Sequence, residues 1–465
     1  MVATASDTHP APAGTARWPE RTHLELHDEL HARPALPVRR PGVVSYWVHW
    51  GMDPAVAEAA LAAACAACGG AAPQPGTRHH LLQTPAFALK YERHGEFVSW
   101  QANCPLPDPG EHCDDGVLQP MLHDARALDA LPPAFAAALQ AGPGCGHMLA
   151  ATHLVLLRCQ DEDLLPRSRA MLSSRLGGSQ GDDSAPLLGS WIGDGKAAVL
   201  TDLRVRDDGF TRIALLDFGL PPDQAAREAQ RLCEIEAYRM LAMLGFPVAQ
   251  REAQSLADLE RTLQQTVDAM ANDAAHDDSR AFDTLTRLAA EVEHSAARTR
   301  YRFSATRAYH QIVQRRLADL RETRLEGMQT LSGFLARRFA PAMAFCESTD
   351  ARLTDVADRI NRAVSLARVR VEMHREANNQ QLFQALAHRQ KLQLRLQQTV
   401  EGLSVVAISY YLLGLVGYMA KAAKDVPALK GLQIQPELVV GLAVVPVVAG
   451  VKLFLNRLHK HLGND

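Results

Sequence analysis

Three groups of side chains have types and spacings that could do chemistry. In "HLELHDELHARP" (23–34), His23, His27 and His31 recur every fourth residue, and i, i+4 histidines share one helical face that can hold a zinc ion. His27-Asp28-Glu29-Leu30-His31 is close to a zinc-protease helix, with Asp28 in place of the glutamate that acts as general base. The shorter carboxylate reaches a metal-bound water less well, and Pro34 ends the helix just behind. The plainer reading is an amphipathic helix with Leu26 and Leu30 turned inward, and it is preferred. In "KYERHGEF" (90–97), a strand running to 96 would project Glu92, His94 and Glu96 from one face, a set able to hold a divalent cation or tune a proton transfer. Gly95 could instead mark a turn, and a solvent-facing charged strand edge is the preferred expectation. Cys65 and Cys68 form a CxxC with no second pair, which fits small buried thiols better than a metal or redox site.

These groups must be positioned by a chain of 465 residues, long enough for two or three domains. A formal net charge of −3 gives no sign of nucleic-acid binding, and the first twenty-one residues read as a disordered tail. No N-terminal apolar run resembles a secretory signal. From 22 to 220 strand and helix signals mix. "VVSYWVHW" (43–50), "ALKYERHGEFVSW" (88–100) and "HLVLLRC" (153–159) are strand-like, while "PAVAEAALAAACAAC" (54–68) is helical. "AAVLTDLRV" and "FTRIALLDF" flank Arg206-Asp207-Asp208-Gly209, whose Asp-Gly predicts a hairpin. The whole reads as one cytoplasmic α+β or α/β domain.

From 221 the pattern is helical. Asp223–Leu244 is expected to close at Gly245 and Pro247, and Ser255 with Asp258 resembles a capping box that opens the next helix. Glu234 can reach Tyr238, and Glu236 can pair with Arg239, giving a polar helix face that docks on the sheet. Arg302, Arg307, Arg315 and Arg316 make the next segment basic, with salt bridges inside the helix as the default. A helical domain over 221–346 then leads into a long stalk over 347–401, where Leu353, Val356, Ile360, Val364 and Val371 recur at helical spacing. The stalk enters "GLSVVAISYYLLGLVGYMA" (402–420), which has no ionised side chain; "LVVGLAVVPVVAGVKLFL" (438–455) carries only Lys452. Both match the lower part of the bilayer-spanning range. Arg389, Lys391 and Arg395 precede the first run, and Arg457 and Lys460 follow the second, so a transmembrane hairpin over 402–465 with both termini in the cytoplasm is expected.

The stretches "ELHARP" (29–34), "KYERHGEF" (90–97), "EIEAYRMLAMLG" (234–245), "YRFSATRAY" (301–309), "RRFAPAM" (337–343) and "QQTVEGLSVVAISYY" (397–411) resemble an uncharacterised bacterial family of membrane-anchored proteins, known only as a domain of unknown function. The resemblance implies the bacterial inner membrane and no activity, and its first motif centres on "ELHARP" rather than on His23 and His27. The layout also resembles CorA-type magnesium channels, pentamers whose first span lines the pore and ends in Gly-Met-Asn. Here that place reads Gly417-Tyr418-Met419, and the following loop carries lysines. If the first span lined a pore, Thr399, Gly402, Val406, Ser409 and Leu413 would form one stripe and Ser404, Ile408, Tyr411, Leu415 and Tyr418 another, although serines and glycines in a span are also ordinary helix-packing residues and packing is the preferred reading. No nucleophile–base pair, phosphate loop or dinucleotide fingerprint is present, so a non-enzyme without a cofactor is expected. The first expectation is a CorA-like homo-oligomer that conducts or senses an ion, with a divalent cation as the ligand its carboxylates could take. The alternative is a membrane-anchored scaffold whose cytoplasmic domain binds a protein partner.

Overall fold

The computed structural model describes residues 35–108, 115–140, 143–159, 163–174, 187–272, 278–424 and 435–462. His23, His27, Asp28 and His31 lie outside them, as does the segment between the two apolar runs. The chain falls into two compact units: Met1–Asn272 with Thr284–Arg362, and Asp273–Asp283 with Ala363–Asp465.

The first unit is built on a mixed sheet, nine-stranded among the described residues. Its strands are β1 (Gly42–Trp50), β2 (His79–Gln83), β3 (Ala88–Arg93), β4 (Phe97–Pro105), β5 (His147–Arg158), β6 (Leu188–Ile192), β7 (Ala197–Thr201), β8 (Thr211–Asp217) and β9 (Thr323–Arg324), in the order β2-β3-β4-β1-β5-β8-β7-β6-β9. Described neighbours run antiparallel except β5 and β8, which are parallel. β1 and β4 are buried along almost their whole length, as central strands covered on both faces must be. The expected β7–β8 hairpin forms, with shorter strands than its apolar runs suggest. Asp208 accepts a bond from the Phe210 amide (3.1 Å) and Gly209 takes a positive φ of 81°, a conformation that disfavours other residues.

Helices cover each face. On one lie α1 (Pro54–Ala67), α2 (Asp115–His123), α3 (Pro133–Gln140) and α4 (Leu164–Ser174), over Trp47, Tyr91, Trp100 and Phe135. Asp53 caps α1 by accepting from the Ala55 amide, and Pro54 sits where its missing N–H costs nothing. On the other face lie α5 (Pro222–Met243), α6 (Gly245–Asn272), α7 (Asp278–Asp319), α8 (Leu331–Arg338) and the start of α9 (Ala340–Lys424), around Leu154, Leu215, Ile235, Phe303, Phe339 and Met343. Residues 221–346 therefore share a core with the sheet, and 323–324 supply its last strand. Ala229, Leu232 and Ile235 of α5 lie in the same buried cluster as Leu154 and Leu215 of the sheet, across the boundary expected at 221.

Two local expectations are corrected. Gly245 opens α6 rather than closing α5, and Pro247 falls in the first turn, where a missing N–H is tolerated. Ser255 and Asp258 lie inside α6, and Asp258 pairs with Arg261 (2.9 Å) instead of capping. Gly245 is needed for close approach. A Cβ there would overlap Thr306 Oγ1 and lie 3.0 Å from the Cβ and Cγ2 of Thr306, whose hydroxyl donates to the Ala242 carbonyl.

In the second unit α9 continues to Lys424, followed by α10 (Pro436–Leu462). Every residue from 372 to 400 is exposed. Further on, Ser409 is 4% exposed and Ala420 7%, and a Cβ at Gly417 would lie 3.3 Å from Val440 Cγ2. A cavity of about 410 Å³ lies between Ile408, Leu412, Val447 and Val451. Both helices contain a stretch long and apolar enough to cross a membrane.

Replacing Gly245 by Val should destabilise the first unit by about 1–3 kcal/mol through overpacking against Thr306. Urea unfolding followed by tryptophan fluorescence measures it, and an unchanged midpoint would contradict this packing.

Candidate functional site

The β3–β4 hairpin places its charged tip under the helices. Arg93 ends β3 and Phe97 opens β4, with the His94 amide donating to the Phe97 carbonyl (2.9 Å). The strand does not run through to 96, so Glu92, His94 and Glu96 do not share the face expected of them. Glu92 pairs with Lys90 at 3.0 Å inside the sheet layer. His94 stacks on Phe97 (4.1 Å between ring centres) and its Nε2 lies 3.3 Å from Ser99 Oγ. Among the described residues no group of three His, Cys, Asp or Glu side chains could hold a metal ion.

Glu96 is the centre of the arrangement, and it is not the solvated edge charge that was expected. Its Oε1 accepts from Tyr309 OH (2.7 Å) and Arg302 Nη1 (3.2 Å); its Oε2 accepts from Trp50 Nε1 (3.2 Å) and Arg302 Nη2. The Arg302 guanidinium lies 5.9 Å from the centre of the Trp50 ring and 5.6 Å from that of Tyr301. Phe97, Tyr238 and Tyr309 pack edge-on or tilted at 5.7–6.2 Å. Burial pushes the Glu96 carboxyl up, but bonds from Arg302 and Tyr309 and the guanidinium charge outweigh it and hold the group below its ordinary value. Tyr309 is raised, first by burial and then because it donates to that carboxylate.

Beside this node the sheet carries a buried polar row. Lys90 pairs across to Gln101 and Gln101 to Tyr46, while Glu92 faces Ser99. Gln101 donates to Asn103 (3.0 Å), and Asn103 to the Pro37 carbonyl (3.2 Å). Tyr46 is raised well above its usual value, mainly by burial and then by Tyr238, Glu234 and Glu92 nearby. The expected Glu236–Arg239 pair forms, with Nε 3.0 Å from the carboxylate. Glu234 meets Arg316 (2.6 Å) and Gln230 (2.7 Å). Arg302, Arg307 and Arg316 thus each reach a carboxylate on another element, Arg307 meeting Asp350 at 2.7 Å. Salt bridges inside α7 were the expectation, and Arg316 makes one with Asp319 (3.7 Å), but these arginines also tie helices and sheet together.

Three of the quoted motifs, 90–97, 234–245 and 301–309, therefore converge on one cluster. The match runs further: residues 17–462 fit a family described as "Protein of unknown function (DUF3422)". The chain belongs to this family. No curated protein matches it.

On the opposite face of the sheet, Ser45 Oγ lies 2.7 Å from His153 Nδ1, and His153 Nε2 lies 3.8 Å from Asp208 Oδ2. This has the order of a nucleophile, base and carboxylate, and nothing in the sequence spacing signals it. Both Ser45 and His153 are fully buried. Ser45 also accepts from the Ala127 amide (2.9 Å), and the imidazole stacks on Phe210 (4.0 Å). Burial, then Arg212 and Arg126, lower His153 to about 3 against the opposing pull of Asp208, so the ring is neutral at physiological pH. Its work is to pin the sheet to the 127–130 turn. Cys65 is likewise buried, 3.5 Å from His80 Nε2, and burial raises its thiol, which leaves little thiolate for redox or metal chemistry.

The stripe expected to line a pore divides. Thr399, Gly402 and Val406 are exposed, whereas Ser409 is buried and Leu413 is half-buried. Ser409 and Leu413 lie on the side of α9 that carries Gly417 and Ala420 and meets α10.

Glu96→Gln keeps the shape but leaves Arg302 without its counter-charge, and should cost about 3 kcal/mol at neutral pH. The folded-state carboxyl titrates below the unfolded one. Its contribution is therefore present above about pH 4.3 and lost as pH falls through the folded value. The variant should lack that part of the acid dependence in urea unfolding between pH 7 and 3. Parallel curves for the two proteins would contradict the role of Glu96.

Proposed function

We propose that the chain is an integral membrane protein that crosses the bacterial inner membrane twice, through the last part of α9 and through α10. Its α+β body lies on the cytoplasmic side as a scaffold for a protein partner. The observation that carries this reading is the exposure of the two apolar stretches. Only 11% and 6% of their residues are buried within the chain, the reverse of a core helix in a water-soluble protein. Gly417 against Val440 supplies a small-residue contact of the kind that joins helices in lipid. Arg389, Lys391 and Arg395 before the first stretch, and Arg457 and Lys460 after the second, support cytoplasmic termini.

The body supports binding rather than catalysis. The Ser45–His153 pair is sealed from any substrate, and the Glu96 cluster is saturated by its own partners. An oligomer of CorA-like design that passes or senses an ion is the second reading. It is favoured by the apolar side chains that α9 leaves uncovered before the membrane, which copies of the helix could cover.

In whole cells, a membrane-impermeant maleimide should label Lys430→Cys and miss both Lys460→Cys and the exposed Cys68. The reverse pattern would overturn the topology.

A further inference from the structure

α9 and α10 meet closely at one end of their apolar stretches and part at the other. At the close end a Cβ on Gly417 would lie 3.3 Å from Val440 Cγ2. Toward the other end they leave the cavity of about 410 Å³, walled by Ile408 and Leu412 of α9 and by Pro446, Gly450, Val451 and Phe454 of α10. Val451 is buried at its back, whereas Ile408, Leu412 and Phe454 are 42%, 39% and 64% exposed, so one side is open. Every residue lining it is apolar, and a cavity of that character stays dry.

Two charges of opposite sign stand at the open end. Arg457 follows Gly450 by seven residues and Pro446 by eleven, two and three helical turns, so it leaves α10 from the stripe that walls the cavity. Its side chain is exposed. Glu401 precedes Ile408 by seven residues and Leu412 by eleven, which sets it on the matching stripe of α9. Gly417 lies sixteen residues from Glu401, and Val440 seventeen from Arg457. In an antiparallel pair the two charges therefore reach the same level to within about 1.5 Å. Glu401 is also the only acidic residue between Glu376 and Asp425.

We propose that this groove holds a phospholipid whose headgroup carries a primary ammonium, of the phosphatidylethanolamine class. The inference rests on the two-span reading, which puts the groove in the hydrocarbon layer and both charges at its cytoplasmic edge. An acyl chain enters from the open side and replaces the missing apolar contacts of the wall, which runs about 14 Å from Pro446 to Leu455. The phosphate accepts from the Arg457 guanidinium, whose planar fork matches its oxygens. The ammonium donates to Glu401, and a carboxylate has acceptor sites for several donors at once. A phosphatidylglycerol headgroup would bring no cation to Glu401, and phosphatidylcholine would bring one without an N–H. Arg457 alone attracts any phospholipid; the pair of charges selects.

Native mass spectrometry of the full-length chain, purified in mild detergent and given equimolar phosphatidylethanolamine, phosphatidylglycerol and phosphatidylcholine, tests this. Phosphatidylethanolamine should be retained several-fold above each of the others. Glu401→Gln should abolish that preference while lipid still binds, and Arg457→Gln should lower retention of all three. Gly450→Leu fills the groove at a position where nothing lies within 4 Å of a Cβ, and should also lower all three with both charges in place. Equal retention of the three lipids by the wild-type chain, or a preference that survives Glu401→Gln, overturns the proposal. Maleimide labelling of whole cells reports topology separately, so a chain of the expected topology without the lipid preference loses this site and keeps the two-span reading.

Discussion

Burial of apolar side chains is what chiefly holds a helix in a fold, and on α9 that burial changes along its length. Near its start Met343, Cys346, Leu353, Val356 and Ile360 are 0–3% exposed in the core of the first unit. From 372 to 400 every residue is exposed, and from 402 to 420 the helix carries no ionised side chain. An isolated helix draws little stability from intrinsic propensity and depends on burying one face. Here the buried beginning holds the helix, and its end is apolar enough to cross a membrane. At about 1.5 Å per residue that middle section is a rod of roughly 45 Å.

The first unit meets a different demand, that of keeping charges inside a body otherwise built from Trp, Leu and Val. Several buried carboxylates are matched to a cation from a distant segment: Glu96 to Arg302, Glu234 to Arg316, Glu252 to Arg298, Asp217 to Arg40. Such pairs contribute little net stability compared with apolar packing, but breaking one is costly. Their effect here is to fix register: the β3–β4 tip can meet α7 in only one way if Glu96 is to receive bonds from Arg302, Tyr309 and Trp50 together. This explains why charged and aromatic residues are concentrated in the segments 90–97, 234–245 and 301–309.

Much of the fold was legible. β1, the β7–β8 hairpin, α1 and the uninterrupted 342–401 part of α9 follow from β-branched runs, an Asp-Gly turn, Ala-rich periodicity and the lack of Pro and Gly there. What was missed depended on contacts distant in sequence. Gly245 looked like a helix end because nothing local reveals that Thr306 crosses there. Glu96 looked like an edge charge because its partners lie some two hundred residues away. The three motifs were visible one by one, and their convergence was not. Helical spacing groups Thr399 to Leu413 as one stripe, and the burial of Ser409 within it is invisible to spacing.

Membrane insertion is the claim on which the scaffold and the channel alternative both rest, and it rests in turn on two apolar stretches that the described residues leave largely exposed. Extraction of membranes from expressing cells with alkaline carbonate tests it most directly, because this treatment strips proteins held by charge or by partners and leaves those inserted in lipid. The full-length chain should remain in the pellet and be released only by detergent; its recovery in the carbonate supernatant would contradict the account.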